Sequence, residues 1–392
     1  MTTAAGGVLA QRERTALATV GMVGGGQLAR MTQQAAIGLD VELRVLTPDP
    51  GAPAVLAGAR HCPGSPDDLE DLLALAAGCD VVTFDHEHAP FALLSALADA
   101  GAVIRPEPAA KRLAQDKSHA RGILEQAGFA VPPFAVVPAG EVGALERFAD
   151  RYGWPIVVKA PRGGYDGRGV AIVAGPDVGD GSALPATEGE WLLEAMVPIA
   201  MELAVLVARR PSGWWSTYPV VETVQRDGIC RELVMPARVP PAVAEAATAM
   251  AVAVAQGINA TGILAVELFL TPSGELVVNE IAARPHNSGH ATIEATRSSQ
   301  FENHLRAVLD WPLGSTAMVA PAAATVNLLG PTTPMDLGRT VPTALADPRV
   351  AVHLYGKDPA PDRKLGHVTA LADDIDTALA SAHAAAGIIL SP

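Results

Sequence analysis

The chain has almost no cysteine: Cys62, Cys79 and Cys230 are the three in 392 residues. An odd count, wide spacing and no C-x-x-C pair argue against a disulfide framework and a structural zinc site, and the expected compartment is the cytoplasm. Basic residues are also in deficit. Lys and Arg number 28 against 42 Asp and Glu, a net charge of −14. That argues against bulk binding to nucleic acid or to an anionic membrane, but not against a local basic pocket for one phosphorylated metabolite. No uncharged apolar run reaches transmembrane length. The Ala/Val-rich stretch 242–256 contains Glu245 and Gln256 and reads as a packed helix. Residues 1–18 carry Arg12, Glu13 and Arg14 with no apolar region ahead of a cleavage site, so they read as a loose leader, not a signal peptide. A Walker A motif is missing too, which excludes a P-loop enzyme.

What is present is enough for two or three domains: 392 residues, 49% of them hydrophobic. Strand patterns at 19–24, 41–46 and 80–84 alternate with helical patterns after Gly26 through Ile37, over 67–77 and over 91–99. That alternation predicts a parallel α/β sheet. Gly24-Gly25-Gly26 opens the first helix and suits an anion, a dinucleotide or merely tight strand–helix packing; a clean G-x-G-x-x-G is lacking. Further along, helices are expected over 108–127, 141–152 and 242–256. Strands are expected at 191–194, 201–209 and 214–221, with a loop over 174–190. The segment 315–392 reads as Pro/Ala-rich with short strands.

The most informative stretch is Gly-Gly-Tyr-Asp-Gly-Arg-Gly at 163–169, just after the strand pattern Ile156-Val157-Val158-Lys159. A lysine ending a strand beside a glycine-rich flap suits nucleotide phosphates: the lysine supplies a point charge, the loop aimed N–H dipoles. A hairpin follows, 264–270 into 275–281, turning at Pro272 and Gly274. If Leu270 pairs with Glu275, Glu267 lies opposite Val278 and Glu280 is its diagonal neighbour on the same face. Both carboxylates then reach one cation site with hard oxygen ligands. Asn279 points the other way unless the strand bends.

Three other constellations stand out. Arg284-Pro285-His286-Asn287-Ser288-Gly289-His290 follows the hairpin; its histidines read as loop hydrogen-bonders, not zinc ligands. Lys357, Arg363 and Lys364 form a phosphate socket or a solvated basic loop. Asp85-His86-Glu87-His88 lies past a strand end, where α/β sheets bind ligands, and His61, His86 and His88 read as surface residues.

The order of these pieces resembles the ATP-grasp superfamily and, within it, the 5-(carboxyamino)imidazole ribonucleotide synthetases of purine biosynthesis. The match is carried by Gly24 through Met31, Gly163 through Gly169, Asp227-Gly228-Ile229, Asn279-Glu280, Arg284 through His290 and Arg363 through His367. The resemblance implies an ATP-grasp fold with an N-terminal Rossmann-like α/β domain (19–113), an ATP-grasp domain (114–314) and a small C-terminal domain (315–392). It implies a homodimeric carbon–nitrogen ligase that uses ATP, Mg²⁺ and bicarbonate, through carboxyphosphate, on aminoimidazole ribonucleotide. It places Arg112, Lys159, Gly164, Tyr165, Asp166, Gly167, Arg168 and Gly169 on ATP. Glu194, Ala195, Met196 and Val197 line the adenine and hinge, Glu202 the ribose, with Gln225, Asn279 and Glu280 closing the nucleotide site. Glu267 and Glu280 bind Mg²⁺. Lys357, Arg363 and Lys364 hold the ribonucleotide phosphate, helped by Gln27 and Leu28, and Glu87, or in second place Asp85, approaches the substrate amine. Arg284 and Asn287, near bicarbonate, form the implied catalytic set with Tyr165 and Arg168 on the substrate side. The chain departs from the family at Gln225, where histidine is common, and at Ala291, where tryptophan is. Three rivals stay open: a formate-dependent glycinamide ribonucleotide ligase, a non-catalytic nucleotide-binding relative, and a nicotinamide oxidoreductase built on the first sheet.

Overall fold

The computed structural model describes residues 16–164, 169–177, 184–187, 189–331 and 335–391. Its first unit is a four-stranded parallel sheet in the order Arg60–Cys62, Val41–Leu46, Ala18–Val23, Val81–Phe84. Alternation along the strands explains its two buried faces. Val20, Met22, Leu43 and Val45 pack on one side, Val23, Leu46 and Phe84 on the other against Leu72 and Leu94 of the helices Leu69–Ala76 and Phe91–Asp99. Asp68 caps the former by accepting from the N–H groups of Glu70 and Asp71.

A second, antiparallel sheet runs Phe134–Pro138, Glu190–Ala195, Ile156–Lys159, Val170–Val173. It packs on Leu145, Phe148 and Ala149 of the helix Val142–Tyr152. The third sheet has nine strands. Its path is Leu276–Ala282, Gly262–Leu270, Met201–Arg209, Val221–Arg226, Ile229–Met235, Ala322–Leu329, Lys364–Ala372, Val350–Leu354, with Trp215–Thr217 added beside Met201–Arg209. Leu264, Val266 and Leu268 turn to the helix Pro241–Gly257, which leaves Glu267 on the opposite face. Buried His304 ties the third sheet to the first, touching Thr83 Oγ1 at 2.8 Å and accepting from the Ile263 N–H at 3.1 Å. No helix among the described residues is long and apolar enough to cross a membrane.

Three expectations need correction. The helix over 108–127 is two helices, Pro108–Gln115 and Lys117–Gln126. Asp116 between them is extended (φ −120°, ψ 99°) and caps the second by accepting from the His119 N–H. The strand over 214–221 is interrupted, because Pro219 has no N–H to give a ladder. The C-terminal segment also holds a long helix, Ile375–Leu390, capped by Asp374; its alanines on every side obscure the helical period.

Candidate functional site

A cavity of about 1340 Å³ opens where the three sheets meet. Gln27, Leu28, Glu87, Arg112, Lys159, Gly164, Glu194, Ala195, Met196, Val197, Glu202, Gln225, Glu267, Asn279, Glu280, Arg284, Asn287 and Lys364 line it. Lys357 and Arg363 do not line it; Lys357 contacts Gln27 at its rim, and Arg363 Nη1 donates to the Asp358 carbonyl at 3.1 Å. Tyr165, Asp166, Gly167 and Arg168 lie outside the described residues. The ends of that loop are described: Gly163 and Gly169 have φ of +77° and +73°, where glycine is favoured.

Lys159 ends its strand inside the cavity. Its Nζ lies 2.6 Å from Glu194 Oε2, and Arg121 Nε donates to Glu194 Oε1 at 2.5 Å. Arg121 also donates to the Val278 carbonyl at 3.2 Å. Burial pushes the Glu194 carboxyl up, but Lys159 and Arg121 outweigh it and hold the group below its ordinary value. Glu194 is therefore committed to positioning the lysine, although it lines the wall expected to face adenine. Arg121 escaped the sequence reading, because a cation on an amphipathic helix looks solvent-facing.

Opposite Lys159 stand the carboxylates. The hairpin register differs from the expected one: Leu270 pairs with Leu276, Leu268 with Val278, and Glu267 directly with Glu280. The shift is a β-bulge that inserts Asn279 as an extra residue. This bend brings Asn279 to the cavity, its Oδ1 3.5 Å from Lys159 Nζ. Burial, then the charges of Glu280 and Glu202, push the Glu267 carboxyl up to about 8. Burial pushes Glu202 up to about 7. Lys117 Nζ sits 3.3 Å from Glu280 Oε1, and His286 Nε2 3.7 Å from Glu267 Oε1. Among the described residues no set of three or more His, Cys, Asp or Glu is arranged for a metal. Two facing carboxylates that repel one another do fit a divalent cation whose remaining ligands come from phosphate oxygens.

These shifts give a pH dependence with a definite sign. Glu267 and Glu202 bind protons in the folded chain up to about pH 8 and 7, far above the ordinary 4.5. Stability therefore falls as pH rises through that window. Buried His286 and His304, lowered from 6.5 to about 3, act oppositely, as do His290 and His367, and their effect fades as pH rises above about 7. The expected result is a ligand-free thermal midpoint that falls from about pH 7, where the histidine effect fades, to about 8. A divalent cation with nucleotide should flatten that slope. Scanning calorimetry with and without them checks this, and a rising ligand-free midpoint would remove the raised carboxyls from the account.

On the other wall Glu87 lies between Lys111, which it contacts directly, and Arg284, whose Nε is 3.1 Å from Glu87 Oε1. Burial pushes Glu87 up, but the two cations prevail and lower it. Lys111 is completely buried, 4.8 Å over the Phe84 ring, and was not singled out from sequence. Both side-chain polar atoms of Asn287 are buried with no hydrogen-bond partner among the described residues. Arg112 lies 5.1 Å over the Phe91 ring. Gln225 follows a second bulge, paired with Cys230, and Ala291 is fully buried.

The glycine run is filled from within. The Gly26 N–H donates to Asp85 Oδ2 at 2.6 Å, and a Cβ on Gly24 (φ +104°) would fall 1.8 Å from Asp85 Oδ1. A carboxylate thus occupies the helix start where a dinucleotide's pyrophosphate would sit, which removes the nicotinamide reading. It also commits Asp85 to that turn. His286 takes the expected loop role, with Nδ1 2.9 Å from Ser288 Oγ. His290 does not: neither ring nitrogen has a partner among the described residues.

Comparison with known proteins finds three family matches along the chain. Residues 17–115 match the ribonucleotide synthetase preATP-grasp domain, 122–301 the ATP-grasp domain, and 323–381 the phosphoribosylaminoimidazole carboxylase C-terminal domain. An N5-carboxyaminoimidazole ribonucleotide synthase of Mycobacterium tuberculosis is 47% identical over 364 residues, 91% of this chain and 84% of that protein. Two Aspergillus clavatus structures superpose with a TM-score of 0.88, each covering 95% of this chain and 98% of theirs. One is a carboxyaminoimidazole ribonucleotide synthase complexed with ATP, 32% identical. The other is an N5-carboxyaminoimidazole synthase with ADP and 5-aminoimidazole ribonucleotide, 31% identical.

Proposed function

The chain belongs to the N5-carboxyaminoimidazole ribonucleotide synthase family, and from that membership we infer that it carboxylates the exocyclic amine of 5-aminoimidazole ribonucleotide at the expense of ATP. The observation that carries the reading is one cavity lined together by Lys159, Asn279 and the facing pair Glu267 and Glu280, and by Arg284, Asn287 and Lys364. The first four suit a nucleoside triphosphate with its cation, the last three a second, anionic substrate.

The residue roles follow as proposals. Lys159, held by Glu194 and Arg121, presents its ammonium to ATP phosphates. Glu267 and Glu280 would hold Mg²⁺, which supplies charge compensation on the phosphates. Arg284, kept in place by Glu87, and Asn287, with its unsatisfied amide, bind bicarbonate where its oxygen can take the γ-phosphoryl group. The products of that step are ADP and carboxyphosphate. The substrate amine then forms the C–N bond, directly or through CO₂, as the C–O bond to phosphate breaks and its proton leaves to phosphate. Lys357, Arg363 and Lys364, with Gln27 and Leu28, hold the ribonucleotide phosphate. Glu202, Gln225, Arg112 and the segment Ala195–Val197 surround the nucleoside. Tyr165 and Arg168 are assigned to the substrate side. A homodimer belongs to the same proposal.

The test is ADP release from ATP, Mg²⁺ and bicarbonate. Strong stimulation by aminoimidazole ribonucleotide with a carboxylated product is expected. Turnover with formate and glycinamide ribonucleotide instead would move the function to the sister ligase. ATP binding without turnover on either would make the protein a non-catalytic relative.

A further inference from the structure

Two motif histidines take no part in the chemistry above, yet both are completely buried. His290 follows the turn Asn287–Gly289, and His367 sits within the strand Lys364–Ala372. Their rings stack at 4.7 Å with planes 21° apart. His353, the cross-strand partner of His367, continues the stack at 4.6 Å and 19°. Its Nε2 lies 2.6 Å from Glu294 Oε1, and Phe301 lies 6.1 Å from His290. The column therefore joins the 284–303 region to the C-terminal strands.

A second link leaves the column sideways. Tyr355, also fully buried, lies 2.7 Å from His367 Nδ1 through its hydroxyl. Burial raises the Tyr355 pKa and lowers those of His367 and His290, so the phenol keeps its proton and the two imidazoles are neutral. The phenol and Nδ1 of His367 therefore share one hydrogen bond between neutral partners. Two residues beyond Tyr355 is Lys357, its Nζ 5.7 Å from the Tyr355 ring.

Core packing alone does not explain these rings. Both nitrogens of His290 and Nε2 of His367 have no hydrogen-bond partner among the described residues, a desolvation cost that a Phe or Leu would avoid. What distinguishes the column is its placement. Asn287 is three residues before His290 and Lys364 is three before His367, and both line the cavity. We propose that the His290–His367–His353 stack, with Tyr355, is a positioning device that sets the ribonucleotide-side cations Lys357 and Lys364 against the Asn287 loop. The inference rests on the functional reading above.

Steady-state kinetics on the full chain tests it, with KM measured separately for ATP and for aminoimidazole ribonucleotide. His290→Ala is expected to raise the ribonucleotide KM by about 10-fold or more, as a wall displaced by a fraction of an ångström would, while the ATP KM moves less than about twofold. His290→Phe, which restores a stacking ring, should recover most of the loss. Tyr355→Phe removes one oxygen and should give the same split at smaller size; it decides the matter if His290→Ala fails to fold. Equal changes in both KM values, or a lowered melting temperature with neither KM changed, would overturn the inference. A wild-type protein with no ribonucleotide-stimulated ADP release would instead bring down the functional reading, and this inference with it.

Discussion

Glu280→Gln is expected to lower Mg²⁺-dependent turnover at least about 10³-fold while the protein keeps its fold. The amide has the size of the carboxylate and can still accept from Lys117, now 3.3 Å from Glu280 Oε1. What it cannot do is give a second anionic oxygen donor beside Glu267, its direct cross-strand partner. The same substitution removes one of the charges that raise the Glu267 carboxyl, so that group should titrate lower in the variant. Melting temperature should hold, because the amide keeps the Lys117 contact and Glu267, protonated below about pH 8, carries little charge to repel its neighbour. ADP release at saturating Mg²⁺ and thermal melting, measured together, separate a lost metal ligand from a lost fold. Turnover within tenfold of wild type would withdraw the metal assignment.

The second large effect is expected at a residue that does not itself line the cavity. Arg121→Met removes the innermost member of the buried chain Arg121–Glu194–Lys159. Both partners in the inner pair are almost fully enclosed, with side chains 4% and 3% exposed. Breaking such a pair costs about 3–5 kcal/mol, because the surviving charge stays in a poorly hydrated place. The damage should also reach function. Glu194, with one cation fewer, would draw Lys159 away from the phosphates, and the ATP KM should rise by about an order of magnitude. Adding Glu194→Leu should return part of the stability, since no carboxylate is then stranded, without restoring ATP affinity. Denaturant unfolding and ATP titration give both readings, and an unchanged ATP KM would show that Lys159 holds its position unaided.

The contrast between these two cases shows what the sequence could disclose. Lys159, Glu267 and Glu280 were legible because charged residues interrupt otherwise apolar strands. The parallel first sheet was legible from its regular alternation. Arg121, Lys111 and Lys117 were not, since the helical pattern that exposes one face to solvent is the same when that face closes over a cavity. Asn279 reached the site through one inserted residue, and pairing register has no local signature in a stretch of seven apolar and polar residues. Asp85 gave no sign that it would fill the glycine turn, because the partner is 59 residues away. Asp116 was hidden for another reason: its capping role depends on the backbone turning extended there, while the residues on both sides favour helix.

The nine-stranded sheet has a bearing on how this enzyme can be cut and recombined. Ile229–Met235 and Ala322–Leu329 are neighbours in one hydrogen-bonded fabric, so the C-terminal fifth is not an interchangeable module. Severing the chain near residue 315 would strip the cover from a long inner strand and leave a sticky edge on the remainder. A chimera between relatives would have to exchange matched strands on both sides of that seam. Grafting the tail alone would carry across Lys357, Arg363 and Lys364 without the strand Ile229–Met235 on which their part of the sheet is built.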